Sequence, residues 1–468
     1  MDSVDARADR RLEPLGESFR LDAADARRST LHARTVFVTT TAPGAATELV
    51  AALGRERSVT ATPQPSRVFA GGVDPAWAAF QIPSDVGLGT LLLPGEFLVL
   101  LRRLVDDILA PATAGAEILV DRTPEHATPL AIQVTASVYP DAAIVISRDL
   151  AEQLPEDLAG SVVVASDDAT EDARRVLATL DRGRGATTDG TSSGESLLTA
   201  LPPDRLLVVV GCGRSGTTWF EELWFADPRV GGVPRGETWI FHQLRHLWRA
   251  FEGGDAFGAW LPRADFVQTL RRYCDGVFGA GLTHHRAGAD YFVEKSPVHA
   301  ERLTEIAAVY PDAYVMHLLR DGRDVARSIS QVPFFGVPEV GAAAAMWRDV
   351  VVAIRRDQPL VRRFRDIRYE ELHADPVAVM RGLYEWTGMT ASAQVEAEWR
   401  RGASRRVSTH AGTAGSVGPG SWRNLPRSDQ DAIYRACGRQ LVREGYLSRS
   451  DLARARVAAL ARRVSRSG

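Results

Sequence analysis

A glycine-rich turn is the part of this sequence best suited to chemistry. Residues 210–219 read VGCGRSGTTW and continue the apolar run Leu206–Val210. A turn of this kind at the start of a helix directs backbone N–H groups and the positive end of the helix dipole towards one place. Arg214 adds a cation there. Hydroxyl groups come from Ser215, Thr217 and Thr218. The pattern predicts a binding site for a phosphate-like anion.

The turn differs from the phosphate loop of nucleotide triphosphatases, G-x-x-x-x-G-K-[ST]. Gly211 and Gly216 have the spacing of that loop, but Thr217 stands at the position of its lysine. The cation comes earlier, at Arg214. A P-loop kinase therefore stays open as an alternative, as does a nucleotide-binding regulator without catalysis. A requirement for Mg2+ would distinguish the kinase, because phosphoryl transfer uses the metal.

The chain has a single lysine, Lys295, among 56 Lys and Arg residues. A compact ammonium and a planar guanidinium suit different sites, so a lysine kept at one position indicates a special requirement there. Lys295 follows the predicted strand Tyr291–Val293. Ligands of open α/β sheets bind at the carboxyl ends of the strands. We therefore expect Lys295 beside the anion site; a surface lysine retained by chance is the alternative.

Several segments resemble one enzyme family. Residues 214–219, RSGTTW, resemble the 5′-phosphosulfate loop of sulfotransferases that use 3′-phosphoadenosine-5′-phosphosulfate (PAPS). Residues 320–328 resemble the 3′-phosphate motif of this family, and residues 367–372 resemble a third element. Residues 416–424, here the closing loop, are similar to the Gly/Trp/basic loop near its carboxyl end. The resemblance covers about residues 201–445, with the motifs in the order of the family.

The resemblance implies transfer of the sulfuryl group of PAPS to a hydroxyl or amine of an acceptor, with no metal. It implies that Lys295 and Arg214 act at the leaving group. Nucleotide-binding roles are implied for Arg214, Ser215, Gly216, Thr217, Thr218, Arg320, Ser328, Tyr369, Ser408 and Arg423. Preorganised cations and N–H donors of this kind stabilise the charge that builds in the transition state.

An acceptor hydroxyl needs a general base. Glu237, in the segment Gly-Glu-Thr at residues 236–238, resembles the glutamate base of the tyrosylprotein branch of the family. The small-molecule branch uses a histidine instead. The candidates for that role are His242, His299 and His317. Glu237 is our prediction, and a glutamate that opens a helix is the alternative reading of this residue.

The first half of the chain carries a weaker copy of the same motifs. Residues 118–127 match 291–300 at an offset of 173, residues 139–149 match 310–321, and residues 36–46 fall on the glycine-rich turn. The chemistry has changed: Arg214, Ser215, Thr217, Glu237, Lys295 and Ser328 are matched by Ala42, Pro43, Ala45, Pro65, Arg122 and Glu156. We interpret this half as a degenerate sulfotransferase-like repeat, with chance likeness as the alternative.

Strand and helix patterns alternate along the chain, as in the strand Leu206–Val210, a helix from Ser215 on, and the helix Gly322–Ser330. They predict an α/β fold with two P-loop-type parallel-sheet domains and flanking helices, the first of them degenerate. The predicted bounds are 1–35 for an N-terminal extension, 36–183 for the degenerate domain, 184–200 for a linker and 201–468 for the catalytic domain.

Composition sets the remaining limits. The chain is 45% hydrophobic and 25% charged, as globular proteins are, and no apolar run is long enough to span a membrane. Three cysteines and no signal sequence indicate a cytoplasmic setting. Residues 1–200 carry a net charge of −11 and residues 201–468 one of +8, so the halves could face each other, within a chain or in a homodimer. The expected partner is a small-molecule or peptide acceptor, and no nucleic-acid module is present.

Overall fold

The computed structural model describes residues 31, 33–39, 45–69, 73, 76–77, 80, 88–123, 128–155, 158, 160–182, 201–234, 236–254, 256–402 and 418–467. By the contacts between residues, the chain divides into two compact units. The C-terminal unit comprises residues 201–242 and those from 282 onwards. The N-terminal unit comprises the described residues before 200 together with those of 243–281, a segment inside the range 201–468 predicted for the catalytic domain.

Each unit is built on a five-stranded parallel sheet. The strands of the N-terminal unit are β1 (Arg34–Val38), β2 (Val59–Ala61), β3 (Ile118–Arg122), β4 (Ala143–Ile146) and β5 (Val162–Val164). The strands of the C-terminal unit are β6 (Leu206–Val210), β7 (Val230–Gly232), β8 (Tyr291–Lys295), β9 (Tyr314–Leu319) and β10 (Arg363–Arg368). The order is β2-β3-β1-β4-β5 in the first sheet and β7-β8-β6-β9-β10 in the second. The strand order is thus the same, and the predicted α/β class with two parallel sheets is confirmed.

The helices before residue 200 are α1 (Ala45–Leu53), α2 (Pro94–Leu109), α3 (Pro129–Val138), α4 (Arg148–Ala151) and α5 (Ala169–Arg182). Those that follow are α6 (Thr217–Trp224), α7 (Ile240–Gly253), α8 (Arg263–His285), α9 (Leu303–Val309), α10 (Gly322–Ser330), α11 (Val340–Asp357), α12 (Tyr369–Ala374), α13 (Pro376–Thr387), α14 (Ala393–Gly402), α15 (Arg427–Arg443) and α16 (Arg449–Ser467).

The core of the C-terminal unit explains why these segments fold as they do. All five residues of β6 are buried, as expected for a central strand covered on both faces. An aromatic cluster packs on one side of the sheet; it includes Trp219, Trp224, Tyr384 and Trp399. Helices α10, α11 and α15 form a second cluster around Trp347. Both faces of the sheet are therefore filled, and the loops after its strands are left to build a site.

The boundaries of two predicted elements agree with the structure, and a third is wrong by two residues. β6 and α10 have the predicted bounds. The helix expected from Ser215 begins at Thr217, because Gly216 is its N-cap and has a φ of 98°. That left-handed conformation favours glycine and ends the turn before the helix starts.

Candidate active site

The glycine-rich turn is held in an unusual backbone conformation. Arg214 has a φ of 72° and Gly216 one of 98°. A positive φ is uncommon for a residue with a side chain, and it occurs often at functional sites. Ser215 is buried, and its hydroxyl has no hydrogen-bond partner in the described parts of the chain. Thr217 and Thr218 then form the first turn of α6, where N–H groups lack partners within the helix.

Tyr369 lies directly against this turn. A β-carbon at Gly216 would come within 2.7 Å of the Tyr369 ring, so only glycine permits this approach. Tyr369 follows the last residue of β10, and β10 pairs with β9 up to Leu319. The carboxyl ends of these strands thereby meet beside the turn, as predicted for a ligand site of an open sheet.

Two arginines meet at the turn. The Arg214 Nε donates to Ser328 Oγ at 3.0 Å. The Arg320 Nη1 donates to the backbone oxygen of Arg214 at 3.2 Å, and its guanidinium lies 4.3 Å from the centre of the Tyr369 ring. The structure therefore brings together four residues that the sequence analysis proposed for one site, although Arg214 lies more than a hundred residues before the other three.

The charges at this point favour a bound anion. Burial and the nearby Arg320 charge both lower the pKa of Arg214. The two carboxylates that follow Arg320 in the sequence have other partners. Asp321 pairs with Arg323 at 2.7 Å, and Asp324 accepts hydrogen bonds from the closing loop. Two neighbouring like charges are destabilising, and a phosphate group between them would relieve the repulsion.

Asp324 anchors the closing loop to α10. Its carboxylate accepts hydrogen bonds from the Gly420 N–H at 2.7 Å, the Ser421 hydroxyl at 2.8 Å and the Trp422 N–H at 2.9 Å. Arg423 in this loop contacts the Gly420 oxygen and the Trp422 ring, and it is exposed. The structure does not join it to Arg214 or Arg320. Ser408 lies outside the described residues.

Lys295 and Glu237 form an ion pair at the end of β8. The Lys295 Nζ lies 3.2 Å from Glu237 Oε1, and the Trp239 indole donates to Glu237 Oε2 at 2.8 Å. The Lys295 side chain is 1% exposed, whereas Glu237 is 23% exposed. Lys295 pairs in register with Val209, near the end of β6. The backbone of Lys295 thus lies beside the end of β6, its ammonium is buried, and the Glu237 carboxylate is partly exposed.

Two further carboxyl groups surround this pair. Burial raises the pKa of Glu221 well above its ordinary value, although the Lys295 charge opposes that shift. Burial also raises the pKa of Glu294 to about 7, although hydrogen bonds from Ser296 and Thr238 oppose this shift. Burial lowers the pKa of Lys295, but Glu237 and Glu221 outweigh it and leave that pKa above its ordinary value. Lys295 is therefore charged at neutral pH.

The Glu294 carboxyl predicts a pH dependence of stability. Its pKa of about 7 in the folded state exceeds the ~4.3 of an unfolded chain, so the folded state binds the proton more tightly between these values. The free energy of unfolding should therefore fall as pH rises from about 4.5 to 7 and stay level above that. In Glu294→Gln, the fall in the free energy of unfolding over this pH range should be smaller by about 3 kcal/mol. Denaturant unfolding of both proteins at pH 5 and pH 8 measures the difference, and equal pH dependence in the two would contradict it.

The three histidines differ in their surroundings. His299 is fully buried, and its Nε2 accepts a hydrogen bond from the Phe241 N–H at 3.2 Å. It therefore packs inside the fold and does not face an acceptor substrate. His317 is also fully buried and bonds Asp366 through Nδ1 at 2.7 Å. Burial lowers the pKa of both rings. His242 is 9% exposed and lies near the Trp239 ring.

Sequence reasoning missed Glu221, Glu294 and Asp324. Glu221 and Glu294 lie close to recognised motifs, and Asp324 lies inside residues 320–328. Glu294 binds Thr238 and Asp324 binds Gly420 across long stretches of sequence, which no spacing rule predicts. Among the described residues, no group of three or more His, Cys, Asp or Glu side chains is arranged to hold a metal ion. The described helices include none with the length and apolarity needed to cross a bilayer.

Comparison with known proteins gives a family match. Residues 207–393 match the sequence model of the sulfotransferase family. No curated protein matches the chain. Similar solved structures include sulfotransferase STF9 from Mycobacterium avium, at 18% identity and a TM-score of 0.36 over 57% of this chain and 81% of that chain. Mouse sulfotransferase SULT7A1, complexed with PAP, is 14% identical, with a TM-score of 0.33 over 57% and 95%.

The family match extends from the second residue of β6 to the first residue of α14. It therefore includes the glycine-rich turn, the Lys295–Glu237 pair, the strand ends that carry Arg320 and Tyr369, and Ser328 on α10. In these residues the chain is similar to the sulfotransferase family.

Proposed function

We propose that the C-terminal unit transfers the sulfuryl group of PAPS to a hydroxyl or amine of an acceptor, with Glu237 as general base. The observation that carries the proposal is the meeting of Arg214, Ser328, Arg320 and Tyr369 at one turn, next to the ion pair of Lys295 and Glu237. An anion-binding turn beside a buried ammonium and an accessible carboxylate is what this reaction requires.

The residues present fit the nucleotide. The Ser215 hydroxyl is buried and has no hydrogen-bond partner among the described residues. With the first turn of α6 it would hold the 5′-phosphate, and Arg214 would lie alongside. Arg320 and Ser328 would hold the 3′-phosphate. Bound PAPS supplies a sulfuryl group on a phosphate leaving group. The new bond joins the acceptor oxygen or nitrogen to sulfur, the bond between sulfur and the bridging phosphate oxygen breaks, and the acceptor proton goes to Glu237.

The ion pair couples the two ends of this reaction. Glu237 Oε1 is the partner of the Lys295 ammonium before the acceptor loses its proton. When Glu237 takes that proton, its negative charge is lost and its attraction for Lys295 falls. The ammonium is then available to stabilise the negative charge on the leaving oxygen. Proton transfer and charge stabilisation would thus proceed together, through a single pair of side chains.

Nucleotide binding tests the proposal directly. Calorimetry with adenosine 3′,5′-bisphosphate in the presence of a metal chelator should give one site per chain. Arg320→Ala should weaken binding by about 1.5–3 kcal/mol, or roughly 10- to 100-fold, because a charged hydrogen bond to phosphate is lost. Arg356→Ala is the control, since this arginine is 68% exposed and pairs with neighbouring Asp357. Absence of binding to the folded protein at millimolar nucleotide would overturn the assignment.

For the N-terminal unit we propose a degenerate copy of the same fold that binds no PAPS. Its strand order matches that of the C-terminal unit. On β3, Arg122 directly follows a buried acidic residue, Asp121, as Lys295 follows Glu294 on β8. The Arg122 guanidinium, however, donates to the Pro63 backbone oxygen at 3.3 Å. Pro65 occupies the position of Glu237 and has no acid–base chemistry. A stoichiometry of two nucleotides per chain would contradict this proposal.

A further inference from the structure

Glu294 lies behind the ion pair and is 1% exposed. Its Oε2 accepts the Thr238 hydroxyl at 2.8 Å, and its Oε1 accepts the Ser296 hydroxyl at 2.5 Å. Thr238 directly follows Glu237 in the chain, and Ser296 directly follows Lys295. We call the arrangement of Glu294, Thr238 and Ser296 the carboxylate clip. It ties the segment that carries the proposed base to the strand that carries the ammonium.

The carboxylate clip also fixes the backbone that follows Glu237. The Trp239 N–H donates to Ser296 Oγ at 3.2 Å, and the Ile240 N–H donates to Thr238 Oγ1 at 3.1 Å. Trp239 has a φ of 57°, which residues with a β-carbon seldom adopt. Such a conformation persists where its surroundings over-determine it. The same residue donates its indole N–H to Glu237 Oε2, so the clip controls a direct partner of the base.

The N-terminal unit contains the same construction without the catalytic pair. Asp121 on β3 is fully buried and accepts the Ser66 hydroxyl and, at 2.8 Å, the Thr62 hydroxyl. The next residue, Arg67, has a φ of 55°, as Trp239 has 57° after Thr238. Pro65 precedes Ser66 where Glu237 precedes Thr238. In both units, therefore, a buried acidic side chain accepts a hydrogen bond from the hydroxyl of a residue that precedes a residue with positive φ. This arrangement belongs to the fold and does not depend on the catalytic pair.

We propose that Glu294 is a positioning residue that holds Glu237 against Lys295 through Thr238 and Ser296. Its catalytic consequence rests on the proposed function, whereas its effect on the ion pair does not. Loss of the clip would let the Glu237 carboxylate move away from the ammonium. A displacement of about 1 Å at a reacting group can cost on the order of 100-fold in rate.

The single lysine of the chain provides a direct test. Protein labelled with 13C- and 15N-lysine has one side-chain amine signal, that of Lys295, and its shift reports the ion pair without any acceptor. Glu237→Gln removes the carboxylate partner of Lys295. Its Lys295 signal therefore gives the chemical shift expected when the ion pair is broken. Glu294→Gln should move the signal in the same direction, and Asp121→Asn, the matched change in the N-terminal unit, should leave it in place.

Turnover supplies the second readout, as release of adenosine 3′,5′-bisphosphate from PAPS with 4-nitrophenol as probe acceptor. Glu294→Gln should lower kcat by about 10- to 100-fold, with the affinity for adenosine 3′,5′-bisphosphate within about threefold of the parent. Asp121→Asn should leave kcat unchanged despite a similar loss of stability. Ser296→Ala, which removes one arm of the clip, replaces Glu294→Gln if that variant does not fold.

Failure of the positioning role can be distinguished from failure of the proposed function. A Lys295 signal that stays at its parental position in folded Glu294→Gln, or in folded Ser296→Ala, overturns the positioning role. A parent protein that binds no nucleotide and consumes no PAPS overturns the proposed function, while the shift of the Lys295 signal still decides whether Glu294 holds the pair. A shift in Asp121→Asn equal to that in Glu294→Gln would also reject the proposal, because the effect would then be one of general destabilisation.

Discussion

Lys295→Arg should lower PAPS turnover by about 100-fold or more while nucleotide affinity changes by less than about threefold. The Lys295 side chain is 1% exposed, and its Nζ already lies 3.2 Å from Glu237. A guanidinium is larger and planar, and it cannot follow the moving charge as a compact ammonium can. Loss of an interaction made mainly in the transition state lowers kcat more than it weakens ground-state binding.

The reverse exchange in the other unit is the matched control. Arg122→Lys changes the corresponding position in the N-terminal unit, where the arginine reaches a backbone oxygen. It should leave turnover unchanged. Lys295→Met, which keeps length and loses charge, separates the effect of charge from that of crowding. If the folded Lys295→Arg protein had the same turnover as the parent, Lys295 would have a role in packing and none in catalysis.

The strands and the motif residues could be predicted from the sequence because their signals are local. The apolar run of β6 and the amphipathic period of α10 each lie within a few residues, and both elements have the predicted bounds. The motif positions Arg214, Arg320 and Tyr369 converge because parallel strands end at one edge of a sheet.

The residues that support the site could not be found in this way. Glu294 binds Thr238, which lies 56 residues earlier, and Asp324 binds Gly420, which lies 96 residues later. No periodicity or spacing links such pairs. Likewise, the sequence places residues 243–281 in the predicted catalytic domain, whereas by their contacts they group with the N-terminal unit. Tertiary contacts decide both matters.

Glu237→Gln should lower turnover by about 100- to 10,000-fold, the range that loss of a general base commonly costs. The amide keeps the shape of the side chain and can still accept the hydrogen bond from the Trp239 indole. It cannot take the acceptor proton. Nucleotide affinity should change little, since Glu237 pairs with Lys295 and Trp239 and lies outside the cluster of Arg214, Arg320 and Ser328.

Initial rates of PAPS consumption by the parent and by Glu237→Gln, measured under the same conditions, test this prediction. Circular dichroism of both proteins shows whether the variant is folded.

A fully active Glu237→Gln enzyme would assign the base to another group, and the structure limits the choice. His299 and His317 are completely buried and bonded to Phe241 and Asp366, so neither is free to meet an acceptor. Of the three candidate histidines, His242 is the least buried, at 9% exposed. In that case His242→Ala in the Glu237→Gln background should abolish turnover. If Glu237, which lies beside Lys295, is instead the base as we propose, His242→Ala in the parent should retain most of the turnover.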